Sequence, residues 1–196
     1  MTFVLGLTGS IGMGKSTTSA MFRELGIPVW DADAVVHQFY APGGAAVGPL
    51  RAIIPQAIDS DGAVDRNYLR AAIAADPGLL DRINAAVHPL VAENRATFLA
   101  ATAAPLVVLD IPLLYEGGGE TICDAVAVVS VPPETQRQRV LERGMSEADF
   151  EMILARQMPD AEKRRRADYV IETIGLEHAR SQVKDLVARL TGSKNA

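Results

Sequence analysis

The chain has 196 residues, of which 48% are hydrophobic, so its length and composition suit one compact α/β domain with insertions. Its net charge of −5 argues against nucleic acid as the main partner, because nucleic-acid-binding proteins present a basic face. The single cysteine excludes an intrachain disulfide, no segment resembles a signal peptide, and no apolar run reaches the roughly 18 residues of a membrane span. These features predict a soluble cytoplasmic protein that has no nucleic-acid or membrane partner.

Short apolar runs alternate with helical patterns along the chain, which predicts a parallel sheet covered by helices. The runs are rich in Val, Leu and Ile on both faces, as in strands buried on two sides. Apolar residues at helical spacing from Leu176 to Leu190 predict a C-terminal helix packed on the sheet. The predicted strands are Phe3–Thr8, Pro28–Trp30, Leu106–Asp110, Ala125–Val131 and Tyr169–Ile171.

A phosphate-binding loop, G-x-x-x-x-G-K-S, follows the first run at residues 9–16 and precedes a helical pattern. Its glycines let backbone N–H groups turn inward around phosphate oxygens, and the helix N-terminus adds a favourable dipole. Lys15 would reach the β- and γ-phosphates, and the Ser16 hydroxyl would ligate Mg²⁺. The chain is therefore predicted to handle a nucleoside triphosphate. The candidate ATP-binding residues are Gly9, Gly12, Met13, Gly14, Lys15, Ser16 and Thr17.

Two long segments interrupt the alternation of strands and helices. Residues 34–104 exceed what one crossover helix needs, and they contain a helix that Asp65 could cap and another from Leu80 to Phe98. Pro89 is expected to break or restart the second of these helices, because proline cannot donate the interior hydrogen bond. We expect this helical insertion to bind the second substrate, and the arginine-rich segment 132–167 to form a lid. The remaining segments, 1–33, 105–131 and 168–196, would form the core.

Three carboxylates follow the second and third strands, at the sheet edge where ligands bind in open α/β folds. Phosphoryl transfer to a hydroxyl needs a carboxylate that accepts the proton, and acids that hold Mg²⁺ directly or through water. Asp33 is the candidate base, with Asp31 beside it, and Asp110 is the candidate acid near Mg²⁺. Asp31 or Asp33 could instead cap the following helix.

Arginines dominate the predicted lid. Arg139 and Arg143 stand one turn apart on one helix face, and guanidinium groups can neutralise the charge that spreads over a transferring phosphoryl group. A solvated helix face is the alternative, because glutamates lie nearby. The basic run 163–166 is expected at the surface, with at most one member lining the site.

Two further residues carry weaker signals. His88 stands in the insertion and could contact substrate or be a hydrogen-bonded structural histidine. Cys123 has no nucleophilic partner nearby in the sequence and is interpreted as a small core residue.

An ordered set of motifs resembles the dephospho-CoA kinase family over nearly the whole chain. The set comprises Gly6–Thr17, Asp31-Ala32-Asp33, His88-Pro89, the D-x-P-L-L-[FY]-E segment Asp110–Glu116, Arg156-Gln157, Lys163-Arg164 and Ala167–Ile171. The resemblance implies a P-loop NTPase-type parallel five-stranded sheet flanked by helices, an inserted helical domain for dephospho-CoA and an arginine-bearing lid. It also implies transfer of the γ-phosphoryl group of ATP, with Mg²⁺, to the ribose 3′-hydroxyl of dephospho-CoA, which gives coenzyme A and ADP.

Site residues carry over by position from this resemblance. Asp33 matches the position taken as the base, and Arg139 and Arg143 fall in the lid helix. Asp31, Asp33, His88 and Asp110 are expected to bind substrate, and ATP and dephospho-CoA are the expected partners of a monomer or weak homo-oligomer. One departure is Glu172-Thr173-Ile174-Gly175, which stands where many members read Asp-Asn-x-Gly, near the expected adenine pocket.

Two other functions compete with this interpretation. One is another small-molecule or nucleoside monophosphate kinase on the same scaffold, whose acceptor the 34–104 insertion would select. The other is a nucleotide-dependent switch that binds partners. The switch is disfavoured because the chain has no Asn-Lys-x-Asp guanine signature and Asp110 is not followed by x-x-Gly.

Overall fold

The computed structural model describes residues 2–192, and five parallel strands form its sheet. Their spatial order is β2-β3-β1-β4-β5, so the strand that leads into the phosphate loop lies at the centre. The five predicted strands are confirmed, with shifts of one residue at some ends. The strands are β1 Phe3–Thr8, β2 Val29–Asp31, β3 Leu106–Asp110, β4 Ala125–Ser130 and β5 Tyr169–Glu172.

Helices connect the strands in two compact units. The first unit runs up to Asp31 and resumes at Thr102, and the second comprises Ala32–Ala101. The first unit contains α1 Lys15–Glu24, α6 Pro133–Glu142, α7 Glu147–Leu154, α8 Asp160–Arg166 and α9 Leu176–Thr191, with a 3₁₀ turn at Gly119–Ile122. The second contains α2 Ala32–Tyr40, α3 Val47–Ile53, α4 Arg66–Ala75 and α5 Gly78–Ala101, with a 3₁₀ turn at Pro55–Ala57.

The sheet of the first unit is covered on both faces. Leu7 and Val108 pack on one side against Phe22 of α1 and Val183 of α9, and these four side chains are fully buried. A smaller cluster around Leu114 covers the β4 residues that face the other side. Burial on two faces explains the continuous apolar runs in the sequence, since each buried aliphatic side chain contributes about 1.5–3 kcal/mol.

The second unit has its own hydrophobic core, built by helices alone. Leu50 of α3, Leu69 of α4 and Ile83 of α5 meet in it. Asp65 caps α4, as the sequence predicts, since its carboxylate accepts hydrogen bonds from the backbone N–H groups of Asn67 at 2.8 Å and Tyr68 at 3.0 Å. The unit begins at Ala32 and ends at Ala101, whereas the predicted insertion spans 34–104.

The prediction that Pro89 breaks its helix is wrong, because α5 continues through it from Gly78 to Ala101. A proline inside a helix removes one backbone hydrogen bond, but its φ angle suits the helix. Ile83 and Val87 before the proline, and Leu90 and Val91 after it, all pack on the same core. This burial on both sides of Pro89 offsets the lost bond.

The predicted core includes residues 1 and 193–196, which lie outside the described residues. Within residues 2–192, no helix combines the length and the apolar character that crossing a bilayer requires.

Candidate active site

The phosphate loop joins β1 to α1 with two glycines in left-handed backbone conformations. Gly12 has a φ angle of 77° and Gly14 one of 89°, values that other residues adopt at a cost. Gly14 stands directly before α1 and has no side chain that could cap it. The first N–H groups of α1 therefore remain open to an anion. Ser16 and Thr17, in the first turn of α1, are exposed.

Side chains from the predicted lid segment contact the phosphate loop at Ile11 and Gly12. A Cβ atom on Gly12 would lie 2.6 Å from Val140 Cγ2 and 3.0 Å from the Gln136 carbonyl oxygen, so α6 packs directly on the loop. Gln136 Nε2 donates a hydrogen bond of 2.7 Å to the Ile11 carbonyl. The Ile11 N–H in turn donates to Gln157 Oε1 at 3.1 Å. The loop thus has fixed protein partners on both sides of Ile11.

Lys15 forms a hydrogen-bonded ion pair with Asp110 at the carboxyl end of β3. Asp110 is 1% exposed, and burial raises the pKa of its carboxyl, although Lys15 and Ser19 partly oppose that rise. Asp31 pairs with Asp110 in the strand register, and its negative charge raises the pKa of Asp110 further. Asp31 also lies 3.5 Å from an Arg23 nitrogen. The loop lysine and two of the predicted carboxylates therefore meet at one sheet edge.

Arg139 donates two hydrogen bonds to Thr173, in the loop that follows β5. Its Nη2 donates to the Thr173 carbonyl at 2.6 Å, and its Nη1 to the Thr173 hydroxyl at 3.2 Å. The hydroxyl itself donates to the Met13 carbonyl at 2.6 Å. Arg143 is the residue after α6, which ends at Glu142. Arg139 and Arg143 line a cavity of about 300 Å³ together with Gly14, Thr17, Thr173 and Gly175.

A larger cavity of about 890 Å³ lies among the N-terminus of α6, the α7–α8 region and the strand ends. Its walls are mostly apolar, with a polar corner at Ser130 and Asp160. Ser130 Oγ donates to Asp160 Oδ2 at 2.7 Å and accepts from Arg164 Nη1 at 3.3 Å. Arg164 is the member of the basic run that lines a cavity.

The prediction that the basic run 163–166 lies at the surface is wrong for Lys163, which is 0% exposed. Its Nζ lies 2.9 Å from Glu116 Oε1, and that oxygen also accepts the Met158 N–H at 2.8 Å. Burial alone would raise the pKa of Glu116, but these two donors outweigh it and lower the pKa. Arg166 also lies 4.5 Å from the centre of the Tyr115 ring. The run therefore anchors α8 to the segment that follows β3.

Asp33 and His88 lie on helices of the second unit, and Cys123 lies in the first unit away from the phosphate loop. Asp33 is in the first turn of α2, which directly follows β2, and His88 is exposed on α5. Their roles stay predictions. Cys123 is partly buried beside the Leu114 cluster, as expected of a small core residue, and its thiol is 3.6 Å from the Gly119 carbonyl.

Sequence reasoning missed three residues that hold the loop: Gln136, Gln157 and Thr173. Gln157 occurs in the Arg156-Gln157 motif, although the motif carries no indication of its partner. Gln136 stood in an arginine-rich helix and Thr173 at a departure from the family pattern, and neither position had a spacing signal.

Comparisons with known proteins point to one family. The family model described as dephospho-CoA kinase matches residues 3–177. The chain is 62% identical over 192 residues to a dephospho-CoA kinase of Jannaschia sp. (strain CCS1), with 97% of this chain and 98% of the relative covered. It is 60% identical over 195 residues to the dephospho-CoA kinase of Cereibacter sphaeroides, with 99% and 98% covered.

Solved structures agree as well. A crystal structure of a Thermus thermophilus protein superimposes with a TM-score of 0.87 at 35% identity, covering 96% of this chain and 98% of the other. This match disfavours both competing interpretations: a different small-molecule kinase and a nucleotide-dependent switch. The chain belongs to the dephospho-CoA kinase family, whose enzymes catalyse the last step of coenzyme A biosynthesis.

Proposed function

We propose that this enzyme transfers the γ-phosphoryl group of ATP to the ribose 3′-hydroxyl of dephospho-CoA, giving coenzyme A and ADP. The Lys15–Asp110 pair beside the glycine loop carries the proposal, because it sets a cation and a buried acid beside the loop that would bind the triphosphate. Family membership supports the acceptor.

The phosphate loop is assigned to the triphosphate. Backbone N–H groups of the loop and of the first turn of α1 bind phosphate oxygens, and Lys15 exchanges Asp110 for the β- and γ-phosphates. The charge of Lys15 then stabilises the transferring group. The residues assigned to ATP are Gly9, Gly12, Met13, Gly14, Lys15, Ser16 and Thr17.

Ser16 and Asp110 are assigned to Mg²⁺. Among residues 2–192 there is no cluster of three or more histidine, cysteine or acidic side chains that could hold a metal. One exposed hydroxyl and one carboxylate, acting directly or through water, nevertheless suit Mg²⁺, which keeps several waters and uses phosphate oxygens as ligands. The bound ion would neutralise charge on the phosphates.

The 300 Å³ cavity is assigned to ATP, because it adjoins Gly14 and the loop that follows β5. Arg139 and Arg143 line it, and we assign both to stabilising the transferred phosphoryl group. Alanine variants of each test this role, since loss of transition-state stabilisation lowers kcat. A variant that raises only the KM for ATP would reassign that arginine to ground-state binding of the nucleotide.

Asp33 is assigned as the general base, and Asp31 and His88 to acceptor binding with the 34–104 segment. Asp33→Asn should lower turnover by about 10²–10⁴-fold, with a smaller change in the KM for dephospho-CoA. The matched control is Asp65→Asn, at an aspartate that does cap a helix, where asparagine caps equally well. If Asp33→Asn behaves like this control, with its rate per folded molecule intact, Asp33 only stabilises the first turn of α2.

The reaction itself is tested by mixing the protein with Mg²⁺, ATP and dephospho-CoA and following product mass together with ADP. The expected product is heavier by one phosphoryl group and forms in step with ADP. Formation of ADP with nucleoside monophosphates and none with dephospho-CoA would overturn the acceptor while leaving the kinase core in place.

We further propose a cytoplasmic enzyme that is a monomer or weak homo-oligomer and binds no nucleic acid. Its net charge of −5 supports the last point. Light scattering coupled to gel filtration tests the oligomeric state.

A further inference from the structure

Thr173 connects two parts of the candidate nucleotide site through one side chain. Its hydroxyl donates to the Met13 carbonyl in the phosphate loop at 2.6 Å and accepts from Arg139 Nη1 at 3.2 Å. Its own carbonyl accepts Arg139 Nη2 at 2.6 Å, and its N–H donates to the Ser130 carbonyl at 3.0 Å. Thr173 is 8% exposed, so these bonds are made away from bulk solvent.

A hydroxyl is suited to this position because it donates and accepts at once. The space is also tight, since a Cβ atom on Gly14 would lie 2.9 Å from the Thr173 oxygen. The Met13 carbonyl and the Gly14 N–H belong to one planar trans peptide, so they point in opposite directions. A carbonyl held toward Thr173 therefore fixes the Gly14 N–H on the side away from Thr173.

We propose that Thr173 is a positioning residue of the nucleotide site: its hydroxyl sets the Met13–Gly14 peptide of the phosphate loop and the Arg139 guanidinium in one geometry. The inference rests on the proposed function, in which the loop and the 300 Å³ cavity bind ATP. Thr173 acts through these two groups and itself transfers nothing. Its loss should therefore weaken the binding of ATP through the loop and slow the chemical step through Arg139.

The principal test compares Thr173→Val, which keeps the shape and removes both hydroxyl bonds, with Thr173→Ser, which keeps the hydroxyl. Loss of the buried bonds should raise the Kd for ATP with Mg²⁺ by about 5- to 50-fold in calorimetry. The KM for ATP should rise in parallel, kcat should fall by about 3- to 10-fold because Arg139 is held less firmly, and the KM for dephospho-CoA should stay within about 2-fold. Thr173→Ser should restore ATP binding to within about 3-fold of the native value.

The matched control is Thr121→Val. The Thr121 hydroxyl also donates to a backbone carbonyl, that of Gly118 at 3.0 Å, but in an exposed turn outside the cavity. This variant should bind ATP like the native protein. If Thr173→Val melts below the assay temperature, Thr173→Cys keeps the volume, weakens both bonds and takes its place.

A double-variant cycle separates positioning from a merely structural contact. In an Arg139→Ala background, Thr173→Val should lower kcat by a smaller factor than in the native background, because the part of its effect that acts through Arg139 is already lost. Native-like ATP binding by Thr173→Val, or an equal fold loss of kcat from Thr173→Val in the native and Arg139→Ala backgrounds, would overturn the proposal. Calorimetry needs no acceptor, so the result stands even if dephospho-CoA is not the substrate.

Discussion

Two lysine–carboxylate pairs flank residues 111–115, which follow β3. Their carboxylates, Asp110 and Glu116, have different surroundings. At its start, Asp110 is paired with Lys15 and burial dominates, so its pKa is raised. At its end, Glu116 receives both the Lys163 ammonium and the Met158 N–H, so its pKa is lowered.

The contrast supports the proposal that the first pair takes part in the reaction and the second stabilises the fold. Fixed donors stabilise the charge of Glu116 in the folded protein, and its partner Lys163 is fully buried. Asp110 is less well compensated, and its partner Lys15 lies on the loop that would receive phosphate. A desolvated acid beside a glycine loop is a candidate for chemistry, whereas a charge held by a backbone N–H stabilises the fold.

The largest effect is expected when each pair is replaced by neutral groups of similar size. Lys15→Met combined with Asp110→Asn should lower turnover by about 10³-fold or more, because the cation that follows the phosphoryl group is lost. Lys163→Met combined with Glu116→Gln should keep turnover within about 3-fold, since neutral replacement of a buried pair is often tolerated. Single-turnover rates on folded protein check both, and equal losses in the two double variants would break the contrast.

Removing one partner of the structural pair should have the next largest effect. Glu116→Gln leaves the Lys163 ammonium buried without a counter-charge, which should cost about 3 kcal/mol of unfolding free energy. For a chain of this length that corresponds to a melting temperature about 6–12 °C lower. The control is Glu147→Gln, which removes an exposed pair with Arg137 and should leave the melting temperature close to that of the native protein. Equal melting temperatures for the two variants would contradict the assignment.

The smallest effect is on the pH dependence of stability, where the two acids should act in opposite directions. Glu116, with its lowered pKa, contributes stability that is present above its ordinary pKa of 4.5 and lost as the pH falls through the folded value. Asp110, with its raised pKa, costs stability as the pH rises from its ordinary 3.8 through the folded value.

Urea unfolding between about pH 3 and 7 measures both slopes. Glu116→Gln should flatten the acid limb of the stability curve, and Asp110→Asn should remove the penalty on the neutral side. Variants that change the curve in the same direction would show that the two carboxylates do not differ as described.

Sequence patterns predicted the structure correctly where the interactions that cause it lie between residues close together in the chain. The strands were predicted from apolar runs because both faces of the sheet are buried, and the phosphate loop was predicted from its glycine spacing. Asp65 was predicted as a cap because the cap and the N–H groups it binds are adjacent in sequence.

Contacts between distant residues account for what was missed. Pro89 continues its helix because apolar residues on both sides of it pack on one core, which a local rule cannot weigh. Lys163 looked like part of a solvated run because its partner Glu116 lies far away in the chain. Thr173 belongs to a loop in which a hydroxyl carries no spacing signal, so only the three-dimensional contacts reveal it.

The anchoring of the phosphate loop also has a thermodynamic consequence. Gln136 binds the Ile11 carbonyl, Thr173 binds the Met13 carbonyl, and α6 packs on Gly12, so none of these restraints depends on a nucleotide. The conformational entropy of the loop is therefore lost when the protein folds, and not when a ligand arrives. Under the proposed function, phosphate oxygens would meet a loop that is already in its binding shape, so more of the interaction free energy would remain as affinity.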